Sequence, residues 1–489
     1  MASTPSGILG LSRALLLNRN IRVIAVTGLI SGVYIGMFNF VLQLFPLTLG
    51  FSVASVGVLQ ALGNRFAGVA ATIVQPFAGH YSDVHGRKRV IILGSGATIA
   101  SMFLFVGGAF LNSGYLVVLA FLLFGVSILG SPATEALVAE SVDMNPRQMD
   151  VAYSLVFFLS NLPGVLSPYL AGTIADRYGY LYIFVAAALL ESVDLYLYWK
   201  ELSETKHAIM AREGGRSFSF REALHVPRES WGYYGALAAD AIAFGITTSI
   251  IYAMAVEKLG FTAADVGVLV VVLTVAMLAS QYPMTRVLLK LRPKRTIVLS
   301  EALGTMLMVG WALSTNVPEF AVCAVVFGLS VTAWVPGVQS MMMTHSPAES
   351  RGSVGGKIAA FRGLVAFPAP VVGGLLYQYM GYEAPIIASF AGTVVCIALM
   401  LKYLPERPTS ATRVESKSEF VPADTQRDPS IATTPNLVLP YAPGVQWQPA
   451  KSGSAVVGLL RPEPKQLESG PLWQTEYYFS LFRPGVARI

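Results

Sequence analysis

The chain has 489 residues, of which 54% are hydrophobic and only 13% are charged. Soluble globular proteins carry about 25% charged residues, so this composition excludes an ordinary soluble enzyme and indicates a protein that crosses a membrane many times. The net charge of +6 does not indicate a nucleic-acid partner, because in a membrane protein the positions of Lys and Arg matter more than their sum.

Twelve apolar runs follow a short amphipathic segment at residues 8–20, which we expect on the cytoplasmic membrane surface. A helix needs about 20 apolar residues to cross the hydrocarbon layer. Segments of this length satisfy their backbone hydrogen bonds in lipid as helices, so the predicted fold class is an all-α integral membrane protein. The predicted spans 1 to 12 are residues 22–46, 55–79, 90–111, 115–140, 152–174, 180–199, 232–256, 265–289, 296–314, 319–342, 354–378 and 384–403.

The last six spans repeat the first six at offsets of 202 to 210 residues. Because each half has six spans, the repeat keeps its orientation and predicts two parallel six-helix bundles. We divide the chain into an N-terminal bundle (1–199), a cytoplasmic linker (200–231), a C-terminal bundle (232–404) and a proline-rich, disordered cytoplasmic tail (405–489). The repeat pairs Gly50, Gly57, Lys88, Pro168 and Gly172 with Gly260, Gly267, Lys294, Pro370 and Gly374.

The positions of Lys and Arg predict the orientation of the spans. With the N-terminus in the cytoplasm, 21 Lys and Arg of residues 1–404 lie on the cytoplasmic side, whereas Arg177 and Lys258 lie outside. This asymmetry follows the positive-inside rule and predicts a multi-pass protein of the plasma membrane with both termini cytoplasmic. We use "inner face" for the predicted cytoplasmic side and "outer face" for the opposite side.

A charged glycine-containing motif lies between spans 2 and 3. It consists of Gly79, Asp83, Gly86, Arg87, Lys88 and Arg89. The pattern resembles the G-x-x-x-D-x-x-G-R-K/R signature of the major facilitator superfamily, although Val84 replaces the Arg that usually follows the acid. Leu289 stands in the place of the acid in the second half, so the acid occurs once.

The chemistry of this motif suits a gate. Its glycines allow a tight turn, and Asp83 can accept hydrogen bonds from a helix N-terminus or an Arg. The residues Arg87 to Arg89 are expected to meet anionic lipid headgroups and loop acids. The resemblance implies a latch that forms when the central cavity opens outward; alternatively, the three basic residues only anchor the topology.

Fragments elsewhere extend the resemblance to most of the apolar region. They comprise an L-x-E-T pattern after span 6, an L-P-E pattern after span 12 and a P-x-E-x-R-G-x-x-G pattern before span 11. The resemblance implies twelve transmembrane helices in two parallel six-helix repeats and a secondary active transporter that works by alternating access. The three patterns consist, in the order given above, of Leu202, Glu204 and Thr205, of Leu404, Pro405 and Glu406, and of Pro347, Glu349, Arg351, Gly352 and Gly355.

Two arginines lie within spans, where an ionisable residue costs about 2.5–3.5 kcal/mol at the helix centre and is a functional candidate by default. Arg65, near the middle of span 2, is predicted to attract an anionic group of the substrate. The alternative is a structural ion pair without substrate contact. Arg362 lies nearer the inner end of span 11, where it either lines the substrate pathway or extends to water.

Several acids also lie within spans. Asp240 in span 7 is predicted to couple transport to protons, because a buried carboxyl group can bind and release one; the alternative is that it pairs with a fixed Arg. Glu191, Asp194 and Glu301 lie in spans that the family resemblance makes peripheral supports, so structural pairing is expected of them, with proton coupling left open for Glu191. Glu140, at the inner end of span 4, is expected to be solvated or paired with the Arg seven residues later.

Neutral polar side chains occur in spans that the family places beside the cavity. Each is predicted to hydrogen-bond either the substrate or a neighbouring helix. They are Asn39, Gln43, Asn161, Gln281, Trp334 and Gln339. Span 5 matches the G-x-x-x-G-P-x-x-G-G motif of proton antiporters only in part, and span 4 has no Arg. The direction of transport therefore stays open.

The combined prediction is a transporter of a small-molecule substrate with a co-transported proton, embedded in membrane lipid. Five scattered histidines supply no nucleophile–base pair, and Cys323 and Cys396 have no ligand-spaced partners, so we expect no catalytic residue, metal ion or cofactor. The alternative is a non-transporting membrane sensor on a transporter fold. Its output would use the tail as a docking segment.

Overall fold

The computed structural model of the protein describes residues 8–65, 68–142, 146–205, 231–345 and 360–404. These residues are helical apart from short turns, and no strand occurs among them. This finding confirms the all-α fold class. The predicted tail, most of the predicted linker and the motif residues before span 11 lie outside the described ranges.

The first half forms six spans after a short N-terminal helix. Two turns of 3-10 helix, Ser127–Leu129 and Leu162–Val165, join the two parts of spans 4 and 5. The α-helices are Ile8–Leu15, Arg19–Thr48, Val53–Gly63, Val69–His85, Arg87–Leu111, Gly114–Val126, Gly130–Glu140, Pro146–Asn161, Ser167–Tyr178 and Leu181–Glu201.

The second half follows the same order. Span 7 has two parts, which meet at Ile250, and the described part of span 11 starts with helical residues 360–366. The α-helices are Trp231–Thr248, Ile251–Leu259, Ala263–Leu313, Val317–His345, Ala369–Met380 and Glu383–Tyr403.

Span 2 is broken, although the sequence predicts one helix over residues 55–79. Its first helix ends at Gly63, Asn64 adopts an extended conformation with φ −61° and ψ 124°, and its second helix begins after Gly68. Gly and Asn are weak helix formers, which explains the break. The other predicted spans match the eleven helices that, in the described part of the chain, are long and apolar enough to cross a membrane. Arg65 lies in the break.

Spans 8 and 9 belong to one continuous helical run, Ala263–Leu313, which nevertheless folds back on itself. Ser280 and Ser300 contact Thr332 and Ser330 on span 10, at oxygen–oxygen distances of 3.0 and 3.2 Å. In a straight helix, residues twenty apart are separated by about 30 Å. Ser280 and Ser300 could then not both contact span 10 at residues 330 and 332, which are close together. The run therefore reverses between spans 8 and 9, where two prolines lie.

The internal repeat is visible in how the two halves touch. A methyl group at Gly57 in span 2 would lie 2.2 Å from the carbonyl oxygen of Pro370 in span 11. A methyl group at Gly267 in span 8 would lie 2.5 Å from that of Pro168 in span 5. Glycine is needed at both crossings because backbone meets backbone there. Spans 2 and 11 thus cross as spans 8 and 5 do, which agrees with two parallel repeats.

An aromatic core holds spans 1, 3 and 6 together. The ring of Phe105 stacks on that of Phe184 with centroids 4.9 Å apart, and Phe45 meets Phe184 edge-on at 4.7 Å. Such pairs add about 0.5–1.5 kcal/mol to the burial of the rings. Glu191 follows Phe184 by two helical turns, so the same face of span 6 directs its carboxyl group toward spans 1 and 3.

Candidate functional site

The buried charges of the second half form one cluster, the second-half cluster, which consists of Asp240, Glu301, Trp334 and Arg362. Nη2 of Arg362 lies 2.6 Å from Oδ2 of Asp240. Nε of Arg362 donates a hydrogen bond of 2.9 Å to the carbonyl of Leu237, one helical turn before Asp240. The guanidinium carbon lies 4.4 Å from the centroid of the Trp334 ring. Arg362 is thus bound within the bundle and joins spans 7, 10 and 11.

Glu301 brings span 9 into the same cluster. Its side chain is 0% exposed, and its carboxyl group lies against that of Asp240. Among the described residues, no N–H or O–H group donates a hydrogen bond to either oxygen of Glu301. The sequence predicts structural pairing for Glu301 in a peripheral span, and nothing in the spacing of residues 240 and 301 indicates that they meet.

The first-half cluster consists of Tyr34, Ser95, Glu191 and Asp194. The hydroxyl of Ser95 on span 3 donates a hydrogen bond of 2.5 Å to Glu191 on span 6, and the hydroxyl of Tyr34 on span 1 faces the same carboxyl group. Asp194 is 1% exposed. Within the described ranges no donor reaches either of its oxygens, so this acid is buried without the partner that a structural support would have.

Arg65 lies close to the first-half cluster. Its guanidinium carbon is 5.3 Å from the centroid of the Phe124 ring, and its charge acts on Glu191 across a gap. In the described part of the chain it forms no ion pair, and its buried Nε has no hydrogen-bond acceptor. The structure therefore places Arg65 at the break of span 2, near an acid but not bound to it.

The two clusters occupy the same place in the repeat. Spans 3 and 6 supply the polar pair of the first half, and their counterparts, spans 9 and 12, supply the corresponding positions of the second half. In the first half the hydroxyl group is on span 3 and the acid on span 6, whereas in the second half the acid is on span 9 and the hydroxyl group on span 12. At offsets of 206 and 202 residues, Ser95, Glu191 and Asp194 correspond to Glu301, Thr393 and Cys396.

Three of the neutral polar candidates, Gln43, Asn161 and Trp334, have separate surroundings in the described part of the chain. Nε2 of Gln43 donates to the carbonyl of Thr248 and its Oε1 accepts from the backbone N–H of Tyr252, both at 3.1 Å, so it ties span 1 to the junction in span 7. Asn161 donates to a carbonyl of its own helix at 2.9 Å. Trp334 has a buried indole N–H that finds no acceptor in the described ranges.

Three further candidates complete the predicted set. Gln281 is partly buried in span 8. The side chains of Asn39 and Gln339 lie outside the described residues, so their predicted contacts with substrate stay predictions.

At the inner face, an ion pair and several hydrogen bonds surround the charged glycine-containing motif between spans 2 and 3. Gly86 has φ 99°, as expected of a glycine that turns the chain between two helices. The guanidinium of Arg87 pairs with Glu140 at 3.0 Å, which identifies the partner of that acid as Arg87. Glu204 accepts hydrogen bonds from the backbone N–H groups of Arg87 and Lys88 at 2.7 and 3.3 Å, capping span 3. Thr205 donates to Glu140.

The roles of Glu140, Glu204 and Thr205 escaped the sequence analysis, although the L-x-E-T pattern marked two of them. Lys88 is partly buried and Arg89 is exposed. Gly79 and Asp83 lie in the helix Val69–His85, but the side chain of Asp83 is outside the described residues. The predicted latch at Asp83 therefore stays a prediction.

A contact between the halves lies at the outer face. The carboxylate of Asp176, at the end of span 5, accepts hydrogen bonds from the backbone N–H groups of Ala263 and Ala264 at 3.0 and 2.8 Å. It thereby caps the N-terminus of span 8, where an acid is favoured by the helix dipole. Gln378 stands at the corresponding position of the second half, so this cap occurs in one half and not in the other.

A family model described as Major Facilitator Superfamily matches the chain at residues 24–367 and 233–482. Multidrug resistance protein 2 of Bacillus subtilis (strain 168) is 23% identical over 375 residues, which cover 74% of this chain and 88% of that protein. Multidrug resistance protein MdtG of Dickeya zeae (strain Ech586) is 22% identical over 375 residues, covering 74% and 87%.

Solved structures with the same fold include the nucleoside transporter NupG, with a TM-score of 0.62 and 10% identity over 78% of this chain and 98% of that one. A D-xylose-proton symporter has a TM-score of 0.61 and 14% identity over 79% and 98%. These identities show the fold alone. The helical architecture, its duplicated crossings and the family match together show that the chain is a membrane transporter that belongs to the major facilitator superfamily.

Proposed function

We propose that the protein is a proton-coupled secondary transporter that moves a small organic solute across the plasma membrane by alternating access. The second-half cluster is the observation that supports this proposal most directly. Asp240 lies buried beside a second acid and one Arg, on span 7, which contacts span 1 of the first half through Gln43. Ionisable groups inside a membrane protein are expensive and mark ion and proton pathways.

The solute-binding part of the proposal rests on Arg65. Its buried Nε has no acceptor among the described residues, and it lies where span 2 is interrupted. Discontinuous helices in transporters direct backbone N–H groups and side chains at anionic substrate groups. Relatives named multidrug resistance proteins support a small organic solute, and Arg65 favours one that has an anionic or hydrogen-bond-accepting group.

Alternating access requires contacts between the halves that can separate. At the outer face, the glycine crossings of spans 2 with 11 and 5 with 8, together with the Asp176 cap, hold the halves together. These contacts can open as a unit if each half moves as a rigid body. At the inner face, Arg87 of the charged glycine-containing motif contacts Glu140 and Glu204, which both belong to the first half.

The proposal is tested by finding a solute and following its transport. Organic anions, nucleosides and sugars are screened for thermal stabilisation of the purified protein, and a stabilising solute is then offered to proteoliposomes with and without a pH gradient. We expect gradient-driven transport by the wild type and loss of the gradient dependence in Asp240→Asn. For an anionic solute, Arg65→Ala lowers uptake about tenfold or more, since a hydrogen bond to a charged group contributes about 1.5–3 kcal/mol.

Lys402→Ala is the control, because Lys402 is an exposed cation at the inner end of span 12, and it should transport as the wild type does. Wild-type rates in Arg65→Ala and wild-type pH dependence in Asp240→Asn would remove both assignments. A protein that binds a partner through residues 405–489 and moves no solute would be a sensor.

A further inference from the structure

We propose that Asp240, Glu301 and Arg362 form a single one-proton site, in which a proton shared by the two carboxyl groups balances the charge of the cluster. This inference rests on the proposed proton coupling and adds to it a second acid from span 9. Glu301 is thereby an essential member of the proton site.

The charge of the cluster requires a proton. Two ionised carboxylates and one guanidinium would leave a net charge of −1 among side chains of which Glu301 is 0% and Asp240 4% exposed. An uncompensated charge in such surroundings is costly, and the group that bears it takes up a proton instead. One proton makes the cluster neutral.

The hydrogen bonds point to the same number of protons. Glu301 receives no hydrogen bond from any described N–H or O–H group, yet its carboxyl group lies against that of Asp240. Two carboxylates in contact repel each other, whereas a protonated carboxyl group can donate to a carboxylate. Because Arg362 binds Asp240 directly at 2.6 Å, Asp240 is the acid whose negative charge is compensated, and Glu301 is the donor of the shared proton.

The other groups around the pair do not change this count. In the described part of the chain, the titratable neighbours are the thiol of Cys396 on span 12 and, beside Arg362, the hydroxyl of Tyr233 on span 7. Thiols and phenols are ordinarily neutral at pH 7. The indole of Trp334 on span 10 faces the guanidinium and has no titratable group.

Loss of the proton would change the contacts that Arg362 makes with spans 7 and 10. Two carboxylates would then compete for one guanidinium, which also contacts the Leu237 carbonyl on span 7 and the Trp334 ring on span 10. A shift of Arg362 toward Glu301 would loosen both contacts. Occupancy of the proton site is thereby linked to the positions of spans 7, 10 and 11.

Infrared spectroscopy of the full-length protein in lipid bilayers tests the proton count, because a protonated carboxyl group has its own absorption band. Relative to the wild type at neutral pH, Glu301→Gln should lose the band of one carboxyl group. Asp240→Asn should lose the same amount, because the remaining acid then pairs with Arg362. Arg362→Gln should gain one, since both acids must then be neutral. The exposed Glu383 supplies a control, Glu383→Gln, which should not alter the band.

An unchanged band in folded Glu301→Gln overturns the inference, as does an unchanged band in Arg362→Gln, which decides the matter if Glu301→Gln does not fold. Transport separates this inference from the proposed function. If solute uptake depends on the pH gradient while these substitutions leave the carboxyl band unchanged, the proposed shared-proton site is wrong and the proposed proton coupling is kept. If the carboxyl band changes as expected while solute uptake does not depend on the pH gradient, the shared-proton site is kept and the proposed proton coupling is wrong.

Discussion

Two Arg–Glu pairs in the first half have similar geometry and very different surroundings. Arg87 and Glu140 lie 3.0 Å apart with side chains 10% and 9% exposed. Arg19 and Glu201 lie 3.1 Å apart with side chains 52% and 35% exposed. Removing one partner of a buried pair leaves an uncompensated charge, whereas an exposed pair is replaced by water.

Glu140→Ala should therefore destabilise the protein far more than Glu201→Ala. Breaking a buried pair costs about 3–5 kcal/mol, and an exposed pair contributes about 0–1 kcal/mol. The midpoint of thermal unfolding, followed by tryptophan fluorescence of the protein in detergent, should fall clearly for Glu140→Ala and hardly at all for Glu201→Ala. Equal decreases would contradict a buried, paired role for Arg87.

The charged residues of the spans could be predicted from sequence, and so could an Arg as an alternative partner of Asp240, but not which Arg it is. An ionisable residue stands out in an apolar run, which is how Asp240, Arg362 and Glu191 became candidates. Asp240 and Arg362 are 122 residues apart in the chain, and their contact depends on how spans 7 and 11 pack. Glu301 was assigned to a peripheral span for the same reason, because the packing that brings it to Asp240 leaves no periodicity in the sequence.

The helix ends at the outer face show how single polar groups connect whole helices. Asp176 caps span 8 from the other half, whereas Asp265 caps the same helix from within it, through the backbone N–H and the hydroxyl of Thr262 at 2.9 and 2.8 Å. Both acids lie at the same N-terminus, but only the first spans the interface of the halves.

Asp176→Asn should favour opening of the outer face, and Asp265→Asn should not. The substitution removes the charge that the helix dipole favours, an effect of about 0.3–1 kcal/mol at an exposed terminus, and it does so across a contact that must break on opening. Spin labels on spans 5 and 8 near the outer face should report a larger fraction of long distances in Asp176→Asn. Identical distance distributions in the two variants would show that the cap does not hold the halves together.

Glycine at the crossing of spans 2 and 11 permits a further test. In Gly57→Ala the new methyl group would lie 2.2 Å from the carbonyl oxygen of Pro370, while at Gly96 in span 3 it would have no atom of a neighbouring segment within 4 Å. Overpacking costs about 1–3 kcal/mol, so Gly57→Ala should lower the unfolding temperature and Gly96→Ala should not. A stable Gly57→Ala protein that still closes its outer face would refute the close crossing.

The elements themselves were largely predictable, and the exceptions have physical causes. Eleven of the predicted spans follow from hydrophobic length, because lipid enforces helices on long apolar segments. The break in span 2 is not predicted, because Asn64 and Arg65 are two adjacent polar residues within an apolar run that is otherwise long enough to cross the membrane. The continuous run from span 8 to span 9 was read correctly as two crossings, because its basic residues mark the inner face.

The internal repeat explains why the first-half cluster and the second-half cluster are related but not identical. The repeat places polar side chains at the same positions of spans 3 and 9, yet the acid stands on span 6 in one half and on span 9 in the other. Each of the two clusters therefore has buried acids of its own, and among the described residues of these clusters the ion pair with an Arg is that of Asp240 in the second half. We expect the second half to dominate any dependence of transport on pH.

The predicted orientation of the molecule leads to the last test. Lys258 lies between spans 7 and 8 and Lys402 at the end of span 12, so five crossings separate them and they must lie on opposite sides of the membrane. The native Cys323 and Cys396 are buried, which keeps background labelling low. In intact cells, a membrane-impermeant maleimide should label Lys258→Cys at once and Lys402→Cys only after permeabilisation. Labelling of both from outside would contradict the twelve-span topology, and labelling of Lys402→Cys alone would invert the predicted orientation.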